Sequence, residues 1–258
     1  MAMTDSAESG ALAGRHVVVT GASRGIGRGC AEALARAGAS LTLVARGADD
    51  LETSADEIAE MGNGVRYTVA DVSRATGVAT LDADLADVSD LWGVVNSAGT
   101  NRTGPTIDYG LEDWDAVIGA NLTSSFLVSR VIGRRLLERG RGGRIINLSS
   151  QMGSVGYPGR AAYCASKHGL NGLTRALAVE WAPDAITVNA VAPTFVETTL
   201  TRPMLADPAF RSEILRRIPI GRLGTVSEVA AAVAFLTSDS ASMITGQILG
   251  VDGGWVAW

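Results

Sequence analysis

Short apolar runs alternate with longer amphipathic stretches along most of the chain. The apolar runs are bounded by polar residues or glycine, which is typical of buried strands. The predicted strands are His16–Thr20, Ser40–Ala45, Val65–Ala70, Leu91–Asn96, Arg144–Leu148, Ile186–Ala190 and Gln247–Val251. Apolar residues recur at helical spacing in the stretches between them. The predicted helices are Ile26–Ala37, Asp49–Met61, Arg74–Ala86, Leu111–Glu138, Ala161–Trp181 and Val226–Thr237.

Alternation of apolar strands with helices indicates a parallel sheet covered on both faces. We therefore predict a single α/β domain at residues 14–258 with a doubly wound (Rossmann) fold, preceded by a flexible polar tail at residues 1–13. Residues 194–218 are irregular and interrupted by prolines, so we expect a mobile cover over a site. Right-handed crossovers place the carboxyl ends of all strands along one edge, where ligands bind in such folds.

Two predicted helices have recognisable ends. Asp49 or Asp50 is expected to cap the second helix, and Gly62 is expected to end it. Pro183 is expected to stop the helix that ends at Trp181, because proline cannot continue an α-helix.

The composition and charge of the chain limit the classes of partner that it is expected to bind. Of 258 residues, 47% are hydrophobic and 19% charged, and the formal net charge is -5. A negative chain with no dense Lys/Arg cluster is not expected to bind nucleic acid. The first residues lack the basic and apolar blocks of a signal peptide, and we expect no apolar run to be long enough to span a membrane. A cytoplasmic protein without a membrane partner is the expectation.

The turn TGASRGIG lies between the first predicted strand and the first helix. Gly21, Gly25 and Gly27 permit a tight turn and leave room for a pyrophosphate at the positive end of the helix. This placement indicates a dinucleotide site, although the spacing differs from the usual G-x-G-x-x-G form.

The identity of the dinucleotide depends on the residue after the second strand. Arg46 stands where an NAD site usually has an acidic residue, and Arg24 lies in the glycine turn. Two guanidinium groups suit a 2′-phosphate, which favours NADP(H) over NAD(H). The alternative is that both arginines are solvated and that Asp49 or Asp50 contributes to an NAD site.

Three potential proton handlers lie in the stretch Asn147 to Leu170: Ser150, Tyr163 and Lys167. On a helix Tyr163 and Lys167 share one face, and an ammonium group beside a phenol lowers the phenol's pKa. Such a phenol can exchange a proton with a carbonyl oxygen. The alternative is an ordinary packed tyrosine with a solvated lysine.

These motifs, together with NSAG at residues 96–99 and Asn121, resemble in order and spacing the compact short-chain dehydrogenase/reductase family. The resemblance implies a single domain with about seven strands, a tetramer, and a carbonyl or alcohol substrate of small size. It implies that Tyr163 is the catalytic acid or base and that Lys167 lowers its pKa and binds the nicotinamide ribose. It also implies that Ser150 holds the substrate oxygen and that Asn121 supports a water relay.

The glycine turn, the two arginines and the resemblance together predict a set of cofactor contacts spread over six strand exits. The predicted residues are Gly21, Ser23, Arg24, Gly25, Ile26, Gly27, Arg46, Asp71, Val72, Asn96, Ala98, Gly99, Tyr163, Lys167, Pro193, Val196 and Thr198. Two positions depart from the family pattern: Ser97 replaces the commoner asparagine, and Thr194 replaces the usual glycine after Pro193.

The substrate is predicted from the cover and the tail VDGGWVAW, which resemble those of family members acting on sugar acids and polyols. The alternatives are a 3-oxoacyl-carrier-protein reductase and, from another class, a non-catalytic sensor that binds the nucleotide without consuming it. Trp255 and Trp258 are predicted to pack at a subunit interface.

Overall fold

The computed structural model describes residues 10–61 and 64–257, and within them seven parallel strands form one sheet. The strands are β1 His16–Thr20, β2 Ser40–Ala45, β3 Val65–Val69, β4 Leu91–Asn96, β5 Gly143–Leu148, β6 Ile186–Pro193 and β7 Ile248–Val251. Their order across the sheet is β3-β2-β1-β4-β5-β6-β7. The prediction of a doubly wound parallel sheet is confirmed.

Helices cover both faces of this sheet. They are α1 Gly25–Arg36, α2 Ala48–Ala59, α3 Ala75–Asp84, α4 Leu111–Ile118, α5 Ser124–Arg139, α6 Ala161–Trp181, α7 Arg202–Leu205, α8 Pro208–Arg216 and α9 Val226–Thr237. Side chains of α1, α2 and α9 bury one face of the strands, and side chains of α3, α5 and α6 bury the other. The alternating apolar faces of the strands thus form two cores in a three-layer domain.

Strand and helix boundaries differ in a few places from those predicted. β6 continues past Ala190 to Pro193 because its last residues pair with β7, from Ala190 with Ile248 to Pro193 with Val251. Gly47 is the residue before α2, so Asp49 and Asp50 lie in the first turn of that helix rather than at its cap. In that position the two negative carboxylates interact favourably with the positive end of the helix dipole. Gly62 lies outside the described residues.

The start of the ordered chain was predicted too late. Leu12 is fully buried in the core that contains α1, and its amide donates to the carbonyl of Ala37 at 2.8 Å. An apolar side chain in a tail of small residues carries little periodic signal, so its burial depends on a tertiary contact. Residues 1–9 of the predicted tail lie outside the described residues.

The long predicted helix contains a change of helical type. α4 passes into a π-helical turn at Gly119–Thr123 and then into α5. The combined segment Leu111–Arg139 is long and apolar enough to cross a membrane, contrary to the sequence expectation, but 50% of its apolar window is buried in the fold. A single helix of this kind is weak support for membrane insertion, because core helices have the same properties. π-helical turns occur frequently at functional sites.

The predicted cover forms a small third core beside the sheet. α7 and α8 bury Leu205 and Ile214, and these pack in a cluster with Phe195 and Trp255. The rings of Phe195 and Trp255 have centroids 5.8 Å apart. Trp255 is therefore buried within its own chain, contrary to the prediction that it packs at a subunit interface. Trp258 lies outside the described residues.

Candidate active site

The predicted site residues gather along the carboxyl edge of the sheet. The strand order reverses between β1 and β4, which opens a crevice at this edge. The glycine turn and Arg46 follow strands on one side of the crevice, whereas Ser150 and α6 follow β5 on the other. The proposed cofactor contacts and the proton handlers therefore face a common cleft.

The glycine turn is shaped by close backbone contacts. A Cβ atom on Gly27 would lie 2.1 Å from the carbonyl oxygen of Gly21, so only glycine allows α1 to start so close to β1. Gly25 has a φ of 59°, and a Cβ there would lie 3.7 Å from the Cβ of Thr198, across the cleft. Within the described chain, no side-chain cap bond is made by Arg24, the residue before α1. The first amides of a helix lack intrahelical partners, and such a helix start suits a dinucleotide phosphate group.

The two arginines of the proposed phosphate site are exposed. In the part of the chain that the structure describes, neither Arg24 nor Arg46 forms an ion pair with a carboxylate. Arg46 follows β2 and lies near Asp71, whose pKa is lowered first by a hydrogen bond from the Ser73 hydroxyl and further by the charges of Arg46 and Arg74. Arg24 and Arg46 are therefore both available to an anionic ligand.

The loop after β4 is held by Thr20, a residue that the sequence reasoning missed. The hydroxyl of Thr20 accepts hydrogen bonds from the amides of Ser97 and Ala98, both at 3.1 Å. Asn96 points inward and donates to Ser129 Oγ and Asn147 Oδ1, both at 2.9 Å. The side chain of Asn96 thus joins elements of the fold, and its amide nitrogen is engaged within the protein.

Ser150 is held by its immediate neighbours. It precedes a short 3-10 turn at Gln151–Gly153, and its hydroxyl accepts from the amide of Met152 at 3.1 Å. The same hydroxyl donates to Gln151 Oε1 at 2.9 Å. Ser150 also lies close enough to Tyr163 for its hydroxyl to lower the pKa of the phenol.

Tyr163 and Lys167 lie one turn apart on α6. The Nζ of Lys167 donates to the carbonyl of Leu148 at 2.6 Å, and burial lowers the pKa of Lys167 to about 8. Burial raises the pKa of Tyr163, against the lowering effects of the Ser150 hydrogen bond and the charge of Arg160. Burial thus dominates the pKa of Tyr163 in the chain without cofactor, and the lowering effect of Lys167 stays a prediction.

Asn121 lies in the π-helical turn with 1% of its surface exposed. Its Oδ1 accepts from the amide of Thr100 at 2.8 Å, and its Nδ2 donates to the Thr100 carbonyl and to Ser166 Oγ, both at 3.0 Å. Ser166 Oγ in turn donates to the carbonyl of Tyr163 at 2.7 Å. The Asn121 side chain therefore ties the loop after β4 to α6, and both of its N–H groups are used.

The remaining predicted residues flank the cleft on either side. Val72 follows β3 and is buried, and Pro193 ends β6. Val196 forms a bridge with Gly224, and the amide of Thr198 donates to Thr201 Oγ1 at 2.9 Å. The Thr198 loop thereby connects the end of β6 to the start of the cover.

A pocket opens to the surface beside Ser150 and Tyr163. Several polar residues that the sequence reasoning did not select also line it. These are Asn101, Gln151, Arg160, Thr194 and Thr201. For Thr194 the sequence holds a signal, because threonine replaces the glycine that is usual at this position. For Arg160 it holds none, since a single arginine before a helix is commonplace.

Two oxygens in this pocket are buried without a partner among the described residues. They are Asn101 Oδ1 and Thr194 Oγ1. A buried polar atom without a hydrogen bond is unfavourable unless a ligand or water supplies the partner. The pocket therefore offers polar groups to a polar ligand close to the Tyr163 and Ser150 hydroxyls.

Comparisons with known proteins agree with this geometry. The family profile described as enoyl-(acyl carrier protein) reductase matches residues 21–256. The 3-oxoacyl-[acyl-carrier-protein] reductase of Escherichia coli (strain K12) is 41% identical over 241 residues, which cover 93% of this chain and 97% of that protein. The D-threitol dehydrogenase of Mycolicibacterium smegmatis is 39% identical over 246 residues, which cover 95% of this chain and 94% of that protein.

A similar solved structure is the gluconate 5-dehydrogenase from Burkholderia cenocepacia J2315, in complex with NADP and tartrate. It superposes with a TM-score of 0.92 at 35% identity and covers 96% of this chain and 97% of its own. That structure thus shares the fold of nearly the whole chain.

Proposed function

The chain belongs to the short-chain dehydrogenase/reductase family, and from that premise we propose that it transfers a hydride between NADP(H) and a secondary alcohol or ketone of a sugar acid or polyol. It is a nicotinamide-dependent oxidoreductase acting on CH–OH groups. The relatives named above include both a polyol dehydrogenase and a sugar-acid dehydrogenase. The polar side chains in the lining of the pocket support substrates of this kind.

Tyr163 is proposed as the group that exchanges a proton with the substrate oxygen. Burial raises the pKa of its phenol, so the phenol is protonated at neutral pH in the chain without cofactor. Ser150 orients the same oxygen from its position within hydrogen-bond reach of Tyr163. The nicotinamide supplies or accepts the hydride at carbon when it is bound.

Lys167 and Asn121 are proposed to support this centre. Lys167 is buried beside Tyr163 and is anchored on the Leu148 carbonyl, where a cofactor ribose hydroxyl is a suitable additional acceptor. Asn121 fixes the Tyr163 turn through Ser166. A water relay from Asn121 would have to use its backbone, because its amide N–H groups are engaged.

NADP(H) is proposed over NAD(H) on the charges near the end of β2. Arg24 and Arg46 are exposed and are not paired with a carboxylate among the described residues. A 2′-phosphate placed between them gains two guanidinium contacts. The remaining contacts of the cofactor are proposed at the residues predicted from the sequence, with Asn96 contributing through its backbone.

The polar lining of the pocket is the observation that supports the substrate class. Asn101 Oδ1 and Thr194 Oγ1 are buried without partners in the described chain, and the hydroxyl groups of a sugar acid or polyol would satisfy both. The acyl chain of a 3-oxoacyl thioester would leave them unpaired. The carrier-protein reductase therefore ranks second, supported by the identity to the Escherichia coli relative.

A cytoplasmic homotetramer is proposed for the assembly. Large apolar side chains are exposed outside the cleft, among them Val179 at 79% and Met243 at 96%. Exposed apolar surface of this kind marks contact with a partner, and a second copy of the chain is the partner that the family suggests.

The absorbance of reduced nicotinamide provides the test. The purified protein is screened with both cofactors against sugar acids, polyols, simple ketones and acyl thioesters. We expect turnover with NADP(H) and a sugar acid or polyol. Turnover of acyl thioesters alone supports the second candidate, and cofactor binding without turnover of any compound supports the sensor.

A further inference from the structure

Arg160 is a buried cation in the pocket that holds Tyr163 and Ser150. Only 6% of its surface is exposed, and an arginine keeps its charge even when burial lowers its pKa, as it does here. Within residues 10–61 and 64–257, Arg160 forms no ion pair, and its one side-chain hydrogen bond runs from Nη2 to Met204 Sδ at 3.3 Å. A thioether is a weak acceptor. The guanidinium therefore lacks the anion that a buried charge normally has.

Aromatic rings hold this guanidinium in a fixed place. The Arg160 Cζ lies 5.6 Å from the ring centroid of Tyr157 and 5.9 Å from that of Phe195. Both contacts orient the cation without neutralising it. Arg160 also immediately precedes α6 and lies one helical turn before Tyr163. Its distance from the reacting oxygen is thus set by the start of the same helix.

We propose that Arg160 binds a carboxylate of the substrate, so that this enzyme acts on a hydroxy or oxo acid of the sugar-acid class. The inference rests on the proposed function and specifies its substrate. A planar guanidinium matches a carboxylate with two parallel hydrogen bonds. A neutral polyol cannot neutralise Arg160, and neither can the reacting end of an acyl thioester. With the carboxylate on Arg160, the hydroxyl groups of the acid reach Asn101 and Thr194 in the same pocket.

Another arginine serves as a matched control. Arg217 Cζ lies 5.5 Å from the ring centroid of Tyr157, but Arg217 is already paired with Glu213 at 3.2 Å, with 49% of its side chain exposed. Arg217 does not line the pocket beside Tyr163. Substitution of Arg217 therefore removes a cation stacked on the same ring without removing the proposed anion site.

Binding is measured by calorimetry in a Tyr163→Phe background loaded with NADP⁺, which prevents turnover. The two probes are gluconate and glucitol, which differ in a carboxylate against a CH₂OH group. We expect gluconate to bind more tightly than glucitol by roughly 10- to 100-fold. Adding Arg160→Gln should abolish this preference, and adding Arg217→Gln should leave it unchanged. Equal binding of both probes, or a preference that survives Arg160→Gln, overturns the inference.

Steady-state kinetics on the otherwise unmodified enzyme separate this inference from the proposed function. Arg160→Gln is expected to lower kcat/KM for sugar acids by roughly 10- to 100-fold and for polyols by much less. Arg160→Lys should restore part of the loss because it returns the charge. An equal loss for both classes contradicts the carboxylate site. Preferential gluconate binding by a protein without any turnover would refute the proposed function and leave the anion site supported.

Discussion

The ammonium nitrogen of Lys167 lies 5.6 Å from the ring centroid of Tyr163, one helical turn along α6. Lys167 is buried and Tyr163 is half-buried. Burial moves their pKa values in opposite directions, upward for the phenol and downward to about 8 for the ammonium. Each shift favours the neutral form of the group. The phenol therefore stays protonated at neutral pH, as a proton donor to a carbonyl oxygen requires.

Replacement of Tyr163 by phenylalanine tests the proton transfer. We expect turnover to fall by at least roughly 100-fold, the contribution typical of a positioned acid or base, whereas the affinity for NADP(H) stays nearly unchanged. Tyr67→Phe is the matched control, because Tyr67 is exposed on β3 and its hydroxyl bonds only to Glu52 among the described residues. Wild-type rates in the Tyr163 variant would refute the mechanism.

The burial of Lys167 predicts a stability that depends on pH. The unfolded chain keeps this proton up to about pH 10.5 and the folded chain releases it near pH 8. Between about pH 8 and pH 10.5, unfolding therefore takes up a proton, so the free energy of unfolding rises with pH in that window. Below about pH 8, Lys167 is charged in the folded chain, and the cost of burying this charge is fully present. For the protein without cofactor, we expect Lys167→Met to change this pH dependence.

The measurement compares unfolding free energies of the wild type and the Lys167→Met variant. Relative to the wild type, the variant should lose stability on the order of 3 kcal/mol as pH rises from about 8 to about 10.5. The lost bond to the Leu148 carbonyl offsets the absolute values by a constant and does not affect this slope. Parallel pH curves would show that Lys167 has an ordinary pKa in the folded chain.

The sequence predicted the fold well because strand and helix periods are local properties. β1, β2 and β4 have the predicted bounds, and so does α6. The site was predicted less completely because its polar pocket depends on tertiary contacts. Arg160 precedes a helix with no flanking motif, yet packing against Tyr157 and Phe195 buries it.

Burial around the site has the same physical origin. Helical spacing predicts a charge beside the Tyr163 phenol, but a local pattern does not show burial, which is the largest effect on the pKa of Tyr163 and raises it. The lowering effect of Lys167 stays a prediction. Trp255 was placed at an interface from its position near the chain end, although Phe195 from the start of the cover folds over it.

Replacement of Arg46 by aspartate tests the choice of cofactor. We expect the ratio of kcat/KM for NADP(H) over NAD(H) to fall by roughly 10- to 100-fold, since a guanidinium contact to phosphate is lost and a like charge takes its place. Arg36→Asp is the control, because Arg36 lies at the far end of α1 and is exposed. An unchanged ratio in the Arg46 variant would argue that Arg46 is only a solvated side chain.

Alanine substitutions at two glycines test whether the close contact in the glycine turn has the role proposed for it. A Cβ on Gly27 would lie 2.1 Å from the Gly21 carbonyl oxygen, whereas a Cβ on Gly172, exposed on α6, meets no atom within 4 Å. Gly172→Ala should stabilise the protein by about 0.5–1 kcal/mol, because alanine favours a helix. Gly27→Ala should destabilise it by about 1–3 kcal/mol through overpacking and weaken NADP(H) binding, because the turn must move. Denaturation and cofactor titration measure both effects, and full cofactor affinity in Gly27→Ala would exclude this turn from the phosphate site.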